Sequence, residues 1–171
     1  MKYFIIKKVG KNGKGVFTTH DYKKEQKIFY INLSKLRKYT IEEIKKNKGI
    51  NKQHLDYVGN GMYVVDYSIA SFMNHSCNPN CYVKIRNNYE RYLYALQDIK
   101  KDEKLTHDYT ATSIDQFGGK GFWKFKCRCR SKNCRKIVHG DFLKMSRSWQ
   151  KKYYSNLPFC IKKKYQGLFR V

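Results

Sequence analysis

The chain is short of acidic residues, of proline and of long apolar runs. Only 13 of its 171 residues are Asp or Glu, against 37 Lys and Arg, so its formal net charge is +24. Two prolines leave no Pro-rich linker. No stretch approaches the roughly 18 consecutive apolar residues of a membrane span, and the apolar run at residues 3–6 is too short for a secretory signal. We therefore expect one globular, intracellular domain without a membrane segment.

The excess of positive charge favours a polyanionic partner such as nucleic acid or a nucleosome. Lys greatly outnumbers Arg, and Asn, Ile and Tyr are also abundant, so a compositional bias on solvated faces explains the same charge. Both interpretations stay open at this point. The charge limits the choice of partner without indicating an activity.

Short β-rich runs separated by glycine or charged turns dominate the first hundred residues. Strands are expected at residues 3–6, 16–19 and 28–31. Hairpins are expected around Gly59-Asn60-Gly61 and at Asn87-Asn88. The pattern therefore predicts a mostly β domain.

Helix signals are few. Thr40 with Glu43 three residues later forms a capping-box pattern, which predicts a short helix from Ile41 to about Gly49. Residues 110–121 carry Thr, Ser and Gly without periodicity and indicate a mobile loop. A C-terminal helix that stops at Pro158 is predicted by residues at helical spacing, namely Leu143, Ser146, Trp149 or Gln150, Tyr153 and Leu157.

The segment "CRCRSKNC" is the strongest metal signal in the chain. It places Cys127, Cys129 and Cys134 among basic residues, which stabilise thiolates and suit a soft divalent metal. A structural zinc site takes four ligands, so a distant residue must supply the fourth. The candidates are Cys77, Cys81, Cys160 and His139, and the alternative is three reduced cysteines in a basic loop.

Four separated motifs share their order with one known family. They are "GKG" at residues 13–15 running into "VFTTHDYKKEQKIF", "SFMNHSCNPN" at 71–80, "DEKLTHDY" at 102–109, and "CRCRSKNC" at 127–134. Together they resemble the SET-domain family of protein lysine methyltransferases, with its glycine turn at the first motif, its N-H-S-C-x-P-N and E-E-L-T-F-D-Y signatures and its post-SET C-x-C-x4-C motif. The resemblance covers residues 10–142. A lone G-x-G would be weak, whereas the combination is highly specific.

The resemblance implies a particular fold. We expect several small sheets with a knot-like crossing of residues 74–80 and 105–109, few short helices, a zinc-bound post-SET tail and a C-terminal helix. It implies a SET domain over residues 1–110, a post-SET loop and zinc motif over 111–141, and a C-terminal helical extension over 142–171. The small size resembles minimal SET proteins of viruses or bacteria as much as a fragment of a eukaryotic enzyme.

The resemblance also implies the chemistry. Methyl transfer from the sulfonium of S-adenosylmethionine needs a neutral lysine amine, whose reference pKa is about 10.4. An apolar, aromatic channel disfavours the ammonium, and a nearby positive sulfur lowers the pKa of the lysine further. Tyr109 matches the catalytic tyrosine, Tyr57 matches a second channel tyrosine more loosely, and His107 lines the channel.

Cofactor and metal ligands follow from the same motifs. The residues that match the cofactor-binding positions are Gly13, Lys14, Gly15, Asn74, His75 and Phe125. The glycines would allow the backbone to approach the cofactor closely. Phe125 would either cover the adenine ring or only pack against the tail. The zinc ligands by resemblance are Cys77, Cys127, Cys129 and Cys134. Cys81 and Cys160 remain as free, buried thiols.

Several positions depart from the family pattern. His107 stands where Phe or Tyr is usual, and histidine binds water and titrates near neutrality, so the number of methyl groups added stays open with a lean towards di- or trimethylation. Ser71 replaces Arg and Lys104 replaces Glu. Arg130 and Lys136 replace frequent glycines of the metal loop, which would alter it locally.

The sequence therefore predicts an S-adenosylmethionine-dependent protein lysine methyltransferase that acts on a histone. One alternative is a non-histone protein substrate, and another is a catalytically silent zinc and nucleic-acid-binding SET module. Basic surface residues could contact nucleosomal DNA. The expected location is the nucleus, or the nucleus of the host if the source is a virus or bacterium.

Overall fold

Short antiparallel pairings make up most of the structure, a computed structural model that describes residues 3–10, 13–113, 123–157 and 159–168. The strands are β1 (Phe4–Val9), β2 (Gly13–Thr18), β3 (Lys27–Asn32), β4 (Lys38–Tyr39), β5 (Leu55–Tyr57), β6 (Tyr63–Val65), β7 (Asn74–His75), β8 (Cys81–Ile85), β9 (Glu90–Ala95), β10 (Thr106–His107), β11 (Lys124–Lys126) and β12 (Ile137–His139). The helices are α1 (Ile41–Lys46), α2 (Arg147–Tyr154) and α3 (Phe159–Lys164).

The strands form five small sheets among the described residues. β1 pairs with β2, β11 pairs with β12, and two sheets have three strands in the orders β3-β9-β8 and β4-β6-β5, all antiparallel. The fifth sheet is the parallel pair of β7 and β10. The expectation of a mostly β fold of several small sheets is confirmed.

Two apolar clusters position the site. The larger one joins β2, β3, β8 and β9 to the residues flanking the parallel pair, and it consists of Val16, Tyr22, Ile28, Met73, Cys81, Leu93, Ala95, Ile99 and Leu105. The second attaches the C-terminal helices, with Phe142, Tyr153 and Leu157 buried against Tyr82 and Trp149. Burial of each large apolar side chain contributes roughly 1.5–3 kcal/mol. The described helices, for their part, lack the combination of length and apolar character that a membrane crossing requires.

The predicted hairpins and the capping box are present. Gly59, Asn60 and Gly61 all have positive φ and form the turn between β5 and β6. Asn87 and Asn88 lie in the turn between β8 and β9. Thr40 Oγ1 accepts the Glu43 N–H, and the Glu43 carboxylate accepts the Thr40 N–H, as a capping box requires.

Helix ends were predicted less well. α1 ends at Lys46 rather than near Gly49, because Asn47 is extended and its side chain accepts the Gly49 N–H at 2.9 Å. The predicted C-terminal helix begins only at Arg147, where the Ser146 hydroxyl caps it. The residues before it form a separate 3-10 turn, Phe142–Lys144. α2 ends at Tyr154, before Pro158, and a separate helix that the sequence pattern did not predict, α3, begins at Phe159.

Two loop predictions also need correction. Gly13 and Gly15 lie within β2, paired with Val9 and Lys7, and not in a turn. The start of the predicted loop at residues 110–121 is a 3-10 helix, Tyr109–Thr112, capped by the Asp108 carboxylate. Residues 114–121 lie outside the described part of the chain, as does the side chain of Cys160.

The parallel pair is the expected crossing of two chain segments. Asn74 pairs with Thr106 and His75 with His107, although the two strands are about thirty residues apart in sequence. Asn80 clamps the segments together because its Oδ1 accepts the Thr106 N–H at 2.9 Å and its Nδ2 donates to the Lys104 carbonyl at 2.9 Å. Asn80 is buried, so both bonds form away from solvent.

We expect Asn80→Ala to lower the free energy of unfolding by about 1–3 kcal/mol, because the buried Thr106 N–H loses its acceptor. The matched control is Asn78→Ala in the same segment, where the residue is exposed and the change should stay within about 0.5 kcal/mol. Urea unfolding of the two variants measures both. Equal losses of unfolding free energy in the two variants would contradict the role of Asn80 in holding the two segments together.

Candidate active site

The hydroxyl of Tyr109 is held at the point where the two segments cross. Tyr109 follows β10 directly, and its Oη donates a 2.6 Å hydrogen bond to the carbonyl of Met73, the residue before β7. Desolvation raises the pKa of this phenol to about 12, although a hydrogen bond involving the His75 backbone opposes the shift. The phenol is therefore neutral at physiological pH. Since its proton points to Met73, its lone pairs can accept from another donor.

His75 lies between the tyrosine and a cysteine. Its Nδ1 accepts the Tyr109 N–H at 3.2 Å, and its Nε2 lies 3.3 Å from Cys77 Sγ. Desolvation, and then the charge of Arg135, lowers the pKa of His75 to about 4. The ring is therefore neutral at pH 7 and carries its proton on Nε2, facing the sulfur. In this way His75 connects the predicted cofactor segment to the cysteine cluster.

His107 and Tyr109 line one cavity of about 480 Å³. Their ring centroids are 4.9 Å apart. Desolvation lowers the pKa of His107 to about 4, with Asp108 opposing the shift and His75 adding to it. His107 Nδ1 is buried and has no hydrogen-bond partner among the described residues. The cavity wall at this end is thus uncharged, which is suited to an apolar chain that ends in an amine.

Tyr57 lines the same cavity from β5. Its hydroxyl accepts the Gly61 N–H at 3.2 Å, and its ring packs edge-on against Tyr63 with centroids 5.3 Å apart. The Arg91 guanidinium holds the Tyr57 carbonyl at 2.8 Å. The structure therefore places Tyr57 in the cavity with its hydroxyl engaged by the β5–β6 turn. Its predicted role beside the amine stays a prediction.

Asn74 and the glycine strand meet on another side of the crossing. Asn74 Nδ2 donates to the Lys14 carbonyl at 2.9 Å, whereas its Oδ1 is buried and has no hydrogen-bond partner in the described part of the chain. A Cβ at Gly15 would lie 2.8 Å from that Oδ1, so only glycine fits there without a shift. The structure thus brings together Lys14, Gly15 and Asn74 from distant motifs.

Phe125 and Trp123 form an aromatic wall next to these residues. The Phe125 ring is edge-on to His75 at 5.7 Å and stacks with Trp123 at 5.8 Å. Trp123 also lines the cavity and is edge-on to Tyr109 at 6.4 Å. Phe125 is 36% exposed, so its ring is available to a planar ligand. Sequence reasoning missed Trp123, for which the one available signal was its position two residues before Phe125.

Four cysteine sulfurs form a candidate metal site. The Sγ atoms of Cys77, Cys127, Cys129 and Cys134 all lie within 4.8 Å of one another. Cys77 and Cys127 are 3.9 Å apart, close to the separation of about 3.8 Å that a tetrahedral zinc with 2.3 Å bonds imposes. Among the candidates whose side chains the structure describes, Cys77 is the one that lies with the three clustered cysteines. Cys81 is buried outside the cluster, as predicted.

The metal loop keeps a glycine-like backbone without glycine. Arg130 has φ 58° and Lys136 has φ 64°, both in the left-handed region that disfavours residues with a Cβ. By the family resemblance, both positions are frequent glycines. Both residues therefore add local backbone strain to the loop.

Asp108 and Arg135 form an ion pair that sequence reasoning missed. Arg135 Nη2 lies 2.6 Å from Asp108 Oδ1, and the Asp108 side chain is only 1% exposed. The Arg135 N–H also donates to Cys77 Sγ at 3.3 Å. The pair joins the cysteine loop to the residue before Tyr109. Since 27 positions separate the two residues, sequence spacing did not indicate the contact.

A model of the SET domain family matches residues 13–110. The chain is 33% identical over 119 residues to histone-lysine N-methyltransferase ATX2 of Arabidopsis thaliana, covering 59% of this chain and 10% of that protein. It is 38% identical over 71 residues to human histone-lysine N-methyltransferase SETD1B, covering 40% and 3% respectively. A variant-silencing SET domain-containing protein of Plasmodium falciparum is 31% identical over 148 residues, covering 78% and 6%.

A solved structure agrees with this result. The crystal structure of a Plasmodium falciparum protein described as a candidate histone methyltransferase aligns with a TM-score of 0.50 at 27% identity, covering 64% of this chain and 94% of that one. The chain belongs to the SET-domain family, and it shares this domain with the histone-lysine methyltransferases named above. It spans at most a tenth of the length of the curated relatives named above.

We expect Arg130→Gly and Lys136→Gly each to raise the free energy of unfolding by about 0.5–1 kcal/mol, because glycine removes the left-handed strain. Lys132→Gly is the matched control in the same loop, where φ is not positive and glycine should be neutral or destabilising. Thermal and urea unfolding of the metal-loaded protein measure the differences. A loss of stability in the first two variants would contradict the assigned strain.

Proposed function

We propose that this chain methylates the ε-amine of a protein lysine, with a histone as substrate and S-adenosylmethionine as methyl donor. The observation that carries the proposal is the Tyr109 hydroxyl, held by the Met73 carbonyl at the wall of a cavity beside the crossing. Family membership and the names of the relatives support the reaction and the histone substrate. Such a substrate would place the protein in the nucleus of its cell or host.

The cavity residues bind and orient the amine. A lysine side chain is a flexible apolar stem with a polar end. The cavity combines apolar side chains with the Tyr109 hydroxyl and with charged groups that include Asp56 and Asp66. The neutral Tyr109 oxygen accepts from the amine, and the neutral His107 adds no charge that would compete with it. Tyr57 narrows the same channel. Positioning of this kind can contribute several kcal/mol to the rate.

The methyl donor would be held on the side of Asn74. When bound, S-adenosylmethionine supplies an electrophilic methyl group on a positively charged sulfur. The buried Asn74 Oδ1, which has no hydrogen-bond partner within the described ranges, is an acceptor that fits a cationic or N–H group of such a ligand. The backbone of Gly13, Lys14 and Gly15 would contact the methyl donor, and so would the segment that contains His75. The exposed face of Phe125 would provide a surface for the adenine.

The four cysteines would hold a structural zinc. All four ligands come from the protein, so no position is left open for catalysis. The metal would join the segment after β7 to the post-SET loop, next to the Asp108–Arg135 pair. We accordingly assign residues 1–110 to the SET domain, 111–141 to the post-SET region, and 142–171 to a C-terminal extension.

We expect Tyr109→Phe to lower methyl transfer by roughly 100-fold or more, because the amine loses the oxygen that orients it. Transfer of labelled methyl groups to separate core histones and to nucleosomes measures the loss. Tyr3→Phe, at an exposed tyrosine, is the matched control and should retain full activity.

Full activity in Tyr109→Phe would show that the assignment of this residue is wrong. A wild-type protein that binds S-adenosylmethionine yet labels no histone would redirect the search to a non-histone protein. A wild-type protein that binds no S-adenosylmethionine would instead support a catalytically silent module.

We expect the purified wild-type chain to contain one zinc ion and Cys77→Ser to contain much less, because the mutant loses a thiolate ligand. Cys81→Ala is the matched control, since Cys81 is buried outside the cluster and should retain the metal. Elemental analysis measures the zinc content, and thermal unfolding with and without a chelator measures its contribution to stability. Full zinc content in Cys77→Ser would exclude Cys77 as a ligand.

A further inference from the structure

Positive charge is concentrated in the last third of the chain. Residues 116–171 contain 16 of the 37 basic residues and only one of the 13 acidic residues, Asp141. After Asp141 the chain has eight basic residues and no acidic residue. A uniform compositional bias towards lysine would not deplete this region of carboxylates so selectively.

Few of the described basic residues in this region are neutralised by an ion pair. Before residue 116, several exposed lysines have a carboxylate partner, as in Lys23–Asp98 at 3.0 Å and Lys100–Asp21 at 3.0 Å. Over the described residues from 123 onwards, only Arg135 and Lys144 form ion pairs. The other described cations of this region therefore have no ion-pair partner among the described residues.

Helix α2 carries two cations in its last turn, Lys151 and Lys152, where positive charge suits the helix dipole, and one cation in its first turn, where it does not. Gln150 and Tyr153 are buried, and the opposite face presents Arg147, Lys151 and Lys152 to solvent. Arg147 occupies the first turn, where a positive charge opposes the helix dipole. Arg147 and Lys151 are also four positions apart, a spacing at which like charges repel by a few tenths of a kcal/mol. A bound polyanion would relieve both costs.

These cations lie on a folded surface rather than on a loose tail. The Ile85 N–H donates to the Asn156 carbonyl at 3.0 Å, which joins β8 to the end of α2. Arg147 Nη1 donates to the Leu168 carbonyl at 3.2 Å, which joins α2 to the segment after α3. Ile161 and Tyr165 pack against the same apolar cluster as α2. The spacing of the cations is therefore fixed in the free protein.

We propose that the surface formed by Arg147, Lys151, Lys152 and Lys163, together with Lys144, binds the phosphate backbone of duplex DNA without reading its sequence. Lys144 belongs to it because its side chain is 75% exposed even in its ion pair with Asp141. Lysine contacts phosphates as a point charge, whereas base reading favours bidentate side chains. The rings of Trp149 and Tyr153 are 4.6 Å apart and packed beside Phe142, so this face of α2 offers no stacked platform for single-stranded bases. The role of this contact in substrate choice rests on the proposed function, because a histone substrate is wrapped in duplex DNA.

The test is a binding titration with the full-length chain and a labelled DNA duplex of about 30 base pairs, followed by fluorescence anisotropy. About five phosphate contacts predict a slope of roughly −4 to −5 in the logarithm of the association constant against the logarithm of salt concentration. Two unrelated duplex sequences should bind equally. Single-stranded RNA of the same length serves as the competing polymer.

Two triple variants with the same net charge separate a local surface from overall charge. Lys151→Glu, Lys152→Glu and Lys163→Glu change the proposed surface, and Lys8→Glu, Lys35→Glu and Lys48→Glu change exposed lysines before residue 50. We expect the first variant to weaken duplex binding at least tenfold, and the second less than threefold. If the first does not fold by circular dichroism, the corresponding Lys→Gln variant replaces it.

Each outcome decides the proposal. Equal weakening in the two variants would show that net charge alone binds DNA, and tighter binding of single-stranded RNA would assign the surface to another polymer. No duplex binding near physiological salt would also overturn it.

Methyl transfer to free histones tests the proposed function separately, because it should be unchanged in the first variant while transfer to nucleosomes falls. Duplex binding without methyl transfer would leave this proposal standing and contradict the proposed function.

Discussion

The parallel pairing of β7 and β10 is the constraint on which the rest of the site depends. It brings two segments thirty residues apart into register, and every site residue is placed relative to it. Met73 precedes one strand and Tyr109 follows the other, so the hydrogen bond between them exists only while the strands are paired. Asn80 maintains the pairing from its far side through Thr106 and Lys104. A two-residue pair is too short to persist unaided, which explains why a buried amide reinforces it.

Much of this site could be predicted from sequence because the relevant motifs are local. The segment at residues 71–80 contains Asn74, His75, Cys77 and Asn80 within seven positions, so the sequence alone reveals its crowded chemistry. In the fold these side chains face different partners. Asn74 contacts the glycine strand and His75 contacts Tyr109. Cys77 lies with the other cysteines, and Asn80 bonds to the second crossing segment. Asn74 and His75 point to opposite faces of β7, and bends at residues 77, 78 and 80 turn the chain after it.

What could not be predicted depends on long-range contacts or on competition between local signals. The Asp108–Arg135 pair joins residues from two motifs, and neither residue type indicates the other. Gly13 and Gly15 suggested a turn, yet pairing with β1 placed them in a strand where Asn74 requires a residue without Cβ. The helix after Phe142 starts late because the Ser146 hydroxyl offers a cap, which periodicity alone does not weigh.

The distance in sequence between the partners of the site has a consequence for how the protein is made. Residues 74–109 leave the ribosome before the loop that carries Trp123, Cys127 and Arg135, although these later residues complete the surroundings of Tyr109 and His75. A growing chain can therefore pair its crossing strands while Asp108 still lacks its cation and Cys77 still lacks its neighbours. Assembly of the site ends with the last third of the polypeptide, so truncation there would remove its function even though the SET core had been synthesised in full.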